Sequence, residues 1–439
     1  MTTLSLTTLP SLLTEMHTVG IPVTYRRFAA LIGAEHWRHH VGQINAAIKG
    51  NPYIAEHARE EHSVAFALAR CGDLLAQYGR LPDDPAVNRR LYPAMAFASQ
   101  VLSMVESSGP IEGERMVKRV RDAIENPVAM RGISLELGVA THFAHRGHTL
   151  QWPEMVGAGN FDLLVTDLGT GGLEVECKAI STNKGRKIHR DEALALHRLL
   201  IPELETIRQS MMTCLAIVLT VPGRLPSHDD ARAALALRVV RQVYAGRSAS
   251  LDDGSDLRIV EFAPSRMDPS FATDESLRRA FMEDVSGTKN REGVLLGGGG
   301  RGAIVFVVQS ADDDQMLDET FATLKDAAKR QLTHKRPGIV IAGFDGMTSQ
   351  QLISIAQQDN DPQQPVTELM RHIQPFLGGK NRTHVVGVGF LSRSDLAPEQ
   401  NGFIESGGAA YFFPNRTSPL WSDDLSGLFN RQTAPANGT

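Results

Sequence analysis

The sequence of 439 residues is long enough for two or three domains. Hydrophobic residues make up 42% of it and charged residues 22%, which excludes a disordered chain and predicts a well-filled core. The net charge of −5 argues against a polybasic nucleic-acid binder, although a local basic groove would be enough for such binding.

Cysteine usage and the absence of long apolar runs predict the compartment. Cys71, Cys177 and Cys214 form no CxxC pair, so a disulfide framework or a zinc ribbon is not expected. The N-terminal residues lack the basic leader and apolar core of a signal peptide. No run approaches the roughly 18 apolar residues of a transmembrane helix. We therefore expect a cytoplasmic protein that does not bind membranes.

Residues 1–110 show the apolar spacing of helices and are expected to form a helical domain. The segment Val23–Ile44 could be a helix-turn-helix DNA reader or a helical packing or dimerisation element. The second interpretation is preferred because no recognition-helix signature is visible.

Residues 111–265 change character and are expected to form an α/β (α+β) domain with a mixed sheet. Helices are predicted at 113–126, 134–147, 191–209 and 229–246, and strands at 148–152, 161–167, 172–180, 213–221 and 257–263.

The remainder divides into three segments. Residues 266–300 are expected to be a loop-rich connector, and residues 432–439 a disordered tail. Between them, 301–431 alternates strands and helices in a C-terminal α/β region. This region either extends the first sheet or forms a small domain of its own.

Charged residues converge in a predicted β-hairpin. Its two strands flank a glycine turn at 169–172. Side chains alternate along a strand, so Glu174, Glu176 and Lys178 share one face. Folding the hairpin brings Asp162 across from Glu176. Three charges on one face of an apolar strand are costly to bury without a purpose.

This set of side chains suits phosphodiester hydrolysis. Asp162 and Glu176 offer hard oxygen ligands for Mg²⁺ or Mn²⁺, and the backbone carbonyl of Cys177 is a further candidate ligand. Lys178 could orient or help to deprotonate the water and stabilise the pentacoordinate phosphate. Glu174 is either an auxiliary ligand or a partner that holds Lys178. No thiolate or histidine set for zinc is in place.

The pattern D-(x)13-E-x-K, formed by Asp162, Glu176 and Lys178, resembles the PD-(D/E)xK superfamily of restriction-endonuclease-like nucleases. The resemblance covers residues 112 to about 225. It implies a restriction-endonuclease-like mixed-sheet core and an extra acidic metal ligand on the preceding helix, where Glu136 is the matching residue. Phe161 stands where many members have proline. Two alternatives remain: an ordinary hairpin with a surface ion-pair ladder, and a catalytically dead member of the fold.

Two basic clusters are candidate nucleic-acid contacts, although a charge run is more often a solvated loop. The first, immediately after the hairpin, comprises Lys184, Arg186, Lys187, His189 and Arg190. The second, at the end of a long C-terminal helix, comprises Lys325, Lys329, Arg330, Lys335 and Arg336.

The sequence thus predicts a Mg²⁺-dependent nuclease, with DNA favoured over RNA as its substrate, in restriction, anti-phage defence or repair. By family analogy it could be a homo-oligomer. One alternative is an inactive nuclease-fold module that binds nucleic acid or a partner protein. Another is a nucleotide-sensing or scaffold protein that works through its C-terminal region, for which Asp345 and Asp312–Asp314 are the candidate residues.

Overall fold

The computed structural model describes residues 18–429 except 83, 273, 288–290, 298–301, 394–395, 399–403 and 407. The helices are α1 (Ile21–Ile32), α2 (Ala34–Gly50), α3 (Ala55–Glu61), α4 (Ser63–Tyr78), α5 (Pro85–Ser107), α6 (Pro110–Glu125), α7 (Pro127–His145), α8 (Pro153–Val156), α9 (Arg190–Gln209), α10 (Asp229–Tyr244), α11 (Glu275–Ser286), α12 (Met316–Arg330), α13 (Ser349–Asn360) and α14 (Glu368–Leu377). The strands are β1 (Leu150–Gln151), β2 (Leu163–Val165), β3 (Leu173–Ile180), β4 (Cys214–Val221), β5 (Ala249–Ser250), β6 (Asp256–Phe262), β7 (Arg291–Leu296), β8 (Ile304–Ser310), β9 (Gly338–Phe344), β10 (Val385–Leu391), β11 (Leu396–Pro398), β12 (Ile404–Ser406) and β13 (Ala410–Pro414).

The strands form two mixed sheets, which confirms the predicted mixed α/β architecture. One has the order β1-β2-β3-β9-β10-β13 and the other β5-β6-β4-β8-β7. In the first, β3, β9 and β10 run parallel and the outer pairs are antiparallel. β11 and β12 form a separate two-stranded ribbon.

The chain divides into two compact units. The first comprises Met1–Ala46, Arg59–Lys184 and Leu317–Thr439, and the second Ala47–Ala58 and Gly185–Met316. The predicted 111–265 domain is therefore shared between them, because β3 and β9 are adjacent in one sheet although most of the second unit lies between them in sequence. The C-terminal strands β9, β10 and β13 extend the first sheet, whereas β8 belongs to the second.

In the first unit, helices α1, α2 and α4–α7 share an apolar core that includes Phe28, Trp37 and Phe97. A second core lies between α7 and one face of the sheet, and includes Val139, Val175 and Ile341.

The opposite face of this sheet packs against α12, α13 and α14. The buried apolar stripe of α12 includes Phe321, Leu324 and Ala328. In the second unit, α9 and α10 cover one face of the sheet and α11 the other.

Segment 266–300 differs from the loop-rich connector that the sequence predicts, because it contains α11 and β7. β7 has no alternating pattern of its own and is held by antiparallel pairing with β8. The predicted tail at 432–439 lies outside the described residues. No helix in the described part of the chain is both long and apolar enough to cross a bilayer.

Candidate active site

The hairpin of β2 and β3 brings Asp162 and Glu176 together. Leu163 pairs with Val175 in the antiparallel ladder, so one more step of the same register sets Asp162 beside Glu176. The glycine turn makes this register possible: Gly172 has φ of +97°, and a Cβ there would lie 2.9 Å from Leu164 Cδ1.

Asp162 is buried and oriented by the backbone of β3. Its Oδ2 accepts a hydrogen bond of 2.7 Å from the Cys177 N–H. Burial raises the pKa of Asp162 to about 6, although this hydrogen bond and the charge of Lys178 oppose the rise.

Glu176 carries a carboxylate that is fully buried, with 0% exposure. Oε1 lies 2.6 Å from Lys178 Nζ in an ion pair, and Oε2 has no hydrogen-bond partner among the described residues. Burial and the negative charge of Asp162 raise the pKa of Glu176 to about 8. A buried carboxylate oxygen without a donor is costly, so this group needs a proton or a cation.

Lys178 extends towards solvent, with its side chain 25% exposed. Burial lowers the pKa of its ammonium, but the charge of Glu176 more than offsets this, and the net pKa is raised. Lys178 is therefore a stable cation beside the two carboxylates.

Glu136 on α7 is buried, and its carboxylate is held by Arg119 on α6. Arg119 donates from Nη1 to Oε2 at 2.7 Å and from Nη2 to Oε1 at 2.5 Å. Burial and the charge of Asp162 raise the pKa of Glu136 to about 7, against the opposing effect of Arg119. The carboxylate expected to face a metal thus has a guanidinium as its direct partner.

Glu174, which lies two residues before Glu176 on β3, contacts the loop that contains Thr333. Its Oε2 accepts a 2.7 Å hydrogen bond from the Thr333 N–H, its Oε1 contacts the Thr333 hydroxyl, and Arg336 lies 4.0 Å from it. Glu174 therefore fastens the loop between α12 and β9, and does not pair with Lys178 as the sequence had allowed.

The oxygen ligands at this site meet part of what a divalent cation requires. Asp162 and Glu176 are adjacent buried carboxylates, and one oxygen of Glu176 lacks a partner, which fits a hard cation. Within the described residues, however, no three His, Cys, Asp or Glu side chains are close enough together to hold a metal ion. Glu136, the third acid expected at this site, is bonded to Arg119 instead.

Two further charged residues lie at this site, and the hairpin motif does not predict either of them. Arg119 lies on α6, and exposed Glu154 on α8 acts electrostatically on both Asp162 and Glu136. Arg119 lies 17 residues before its partner, and only the packing of α6 on α7 reveals the pair.

Three of the five residues in the first basic cluster lie close to acidic side chains. Lys184, in the first unit, lies 3.9 Å from Glu319. In the second unit, Arg186 pairs with Glu292 and Asp314, Lys187 lies 3.8 Å from Asp312, and the His189 ring contacts Arg224. Arg190 begins α9.

The second cluster is more open. Lys325, Lys329 and Lys335 are exposed, Arg330 pairs with Asp326 at 2.7 Å, and Arg336 is half-buried near Glu174.

The aspartates considered for a C-terminal pocket are also engaged. Asp345 lies 3.5 Å from Arg131, while Asp312 and Asp314 face the basic side chains described above. Helix α13, which follows Asp345, is capped by Thr348.

Comparison of the chain with protein families, with curated proteins and with solved structures gives no match. The site residues themselves therefore carry the functional argument.

Proposed function

We propose that this protein is a divalent-metal-dependent nuclease built on a restriction-endonuclease-like core. The observation that carries the proposal is the buried pair Asp162 and Glu176 beside the cation Lys178, with one oxygen of Glu176 left without a donor. Buried polar groups are normally satisfied, and strongly shifted carboxylates are frequent at active sites.

Asp162 and Glu176, with the Cys177 carbonyl as the further predicted ligand, would hold Mg²⁺ or Mn²⁺. When bound, such a cation acidifies a water molecule and neutralises charge on a phosphate. The Cys177 N–H binds one oxygen of Asp162, Oδ2, which would leave Oδ1 for the cation. Glu176 is held by the strand on which it lies, between β2 and β9.

Lys178 supplies the positive charge that a phosphoryl transition state requires. Its ammonium lies at the edge of the buried pair and reaches solvent, where a phosphate could approach. Because its pKa is raised, Lys178 acts as a hydrogen-bond donor and electrostatic stabiliser, and not as the base that removes a proton from water.

One observation favours a second function, an inactive module that binds nucleic acid or a partner protein. Glu136 is matched by Arg119 and Glu176 by Lys178, so much of the negative charge is compensated without a metal. In that case the fold would be kept and the ion pairs would be structural.

A cleavage assay separates the two functions. Linear, nicked and single-stranded DNA and RNA would each be incubated with wild type and Lys178→Ala in Mg²⁺, Mn²⁺ or EDTA. The nuclease proposal requires metal-dependent cleavage that is lost in Lys178→Ala. Metal-independent binding without cleavage in any condition would support the inactive module.

A further inference from the structure

His334, in the loop between α12 and β9, has an uncommon backbone conformation. Its φ is +63°, and it is the single non-glycine residue with a positive φ in the part of the chain that the structure describes. Histidine tolerates this region better than most side chains, but the conformation still persists only where its surroundings enforce it. Such positions cluster at ligand sites.

Two contacts hold His334: its Nε2 lies 3.2 Å from the Lys329 carbonyl, and its ring stacks on a second histidine ring. The rings of His334 and His384 stack with centroids 3.7 Å apart and planes 17° from parallel. His384 is buried, its Nε2 lies 2.9 Å from the Ala328 carbonyl, and burial lowers its pKa, so this ring is neutral. His334 is nevertheless exposed, so the ring face that points away from His384 is open to solvent.

Positive charge surrounds this ring in a chain of net charge −5. Lys329 and Lys335 are exposed and form no ion pair with any residue that the structure describes. Arg382 acts electrostatically on His384, but its guanidinium donates to the Phe376 and Pro375 carbonyls. The nearby acids are engaged, since Asp326 pairs with Arg330 and buried Glu174 is bonded to Thr333.

We propose that the His334 ring is a stacking platform for a base of single-stranded nucleic acid, with Lys329 and Lys335 contacting the flanking phosphates. Open aromatic faces within positive surfaces are how proteins hold single strands. An acidic peptide would use the cations but not the ring face.

This platform deepens the proposed nuclease function, on which its biological role rests, by naming an unpaired segment as part of the substrate. Its loop is fastened to Glu174, which lies on the same face of β3 as Glu176 and two residues before it. Binding at the platform does not itself require a metal.

The test is fluorescence anisotropy of a labelled oligothymidylate with the full chain in EDTA. His334→Gly removes the ring and adopts a positive φ freely, whereas His334→Phe keeps a stacking ring. Stacking predicts that His334→Gly weakens binding at least about fivefold while His334→Phe stays within about twofold of wild type. Lys329→Ala/Lys335→Ala should reduce the slope of log affinity against log salt by about 1.4. Lys49→Ala, an exposed lysine of the other unit, is the charge control, and thermal unfolding verifies that each variant is folded.

The proposal is overturned if wild type does not bind the oligonucleotide, or if folded His334→Gly binds as wild type does. Equal weakening in His334→Gly and His334→Phe would also overturn it. Binding that depends on His334 without any metal-dependent cleavage would overturn the nuclease proposal alone. Metal-dependent cleavage that is unchanged in His334→Gly would overturn only the platform proposal.

Discussion

Arg119 and Glu136 form a two-point ion pair between α6 and α7, with N–O distances of 2.7 and 2.5 Å. The Arg119 guanidinium therefore occupies the position beside Glu136 where a metal cation would otherwise bind. Removing one member of such a pair leaves a buried charge without compensation.

Arg119→Gln is expected to destabilise the fold by about 1–3 kcal/mol, because the Arg119 side chain is partly exposed and the loss is smaller than for a fully buried pair. The loss should be larger at pH 8 than at pH 6, where Glu136, whose pKa is about 7, can take up a proton. Urea unfolding measures it. The double variant Arg119→Gln/Glu136→Gln should recover most of the loss, and an additive double variant would contradict the pairing.

The stability of the metal-free protein should depend on pH. The pKa values of Asp162, Glu136 and Glu176 are raised to about 6, 7 and 8, so the folded state keeps these protons to higher pH than the unfolded state does. Stability is therefore greatest in acid and falls as pH rises from about 4 to 8, with each pKa unit of difference contributing about 1.4 kcal/mol.

Urea unfolding across this pH range in EDTA measures the effect, and Glu176→Gln should flatten the curve. Mn²⁺ should restore stability most at the alkaline end, where the carboxylates are charged. A curve that is flat in EDTA would show that the three carboxylates do not share a buried site.

Glu174 and Glu176 should behave differently although they lie on one face of one strand. Glu174→Gln is expected to lower stability by about 1.5–3 kcal/mol, because the carboxylate accepts bonds from Thr333. It should leave metal affinity within about twofold of wild type, whereas the matched Glu176→Gln should weaken it strongly. Isothermal titration with Mn²⁺ measures the metal affinity, and urea unfolding measures the stability. Equal effects of the two substitutions on metal affinity would count against the assignment of roles.

Much of the site could be predicted from the sequence because the determining interactions are local. Strand alternation and the glycine turn fix the hairpin, and the structure does place Asp162 beside Glu176 and Lys178. The strand predicted at 213–221 likewise matches β4, which is buried on both faces.

Interactions between distant parts of the chain could not be predicted. The partner of Glu174 is Thr333, 159 residues later, and no local pattern connects them. The adjacency of β3 and β9 depends on a crossover that spans most of the second unit. Glu136 was singled out as a metal ligand, and its pairing with Arg119 could not be predicted because it depends on how two helices pack.

The most direct test of the cation site is a Mn²⁺ titration followed by electron paramagnetic resonance, with wild type and Asp162→Asn at about pH 8. Asparagine retains an acceptor for the Cys177 N–H, so the hairpin should stay folded while the charge is lost. The account predicts that wild type binds Mn²⁺ and that Asp162→Asn weakens this binding by at least about tenfold, which corresponds to about 1.4 kcal/mol. No binding by wild type, or unchanged affinity in Asp162→Asn, would contradict it.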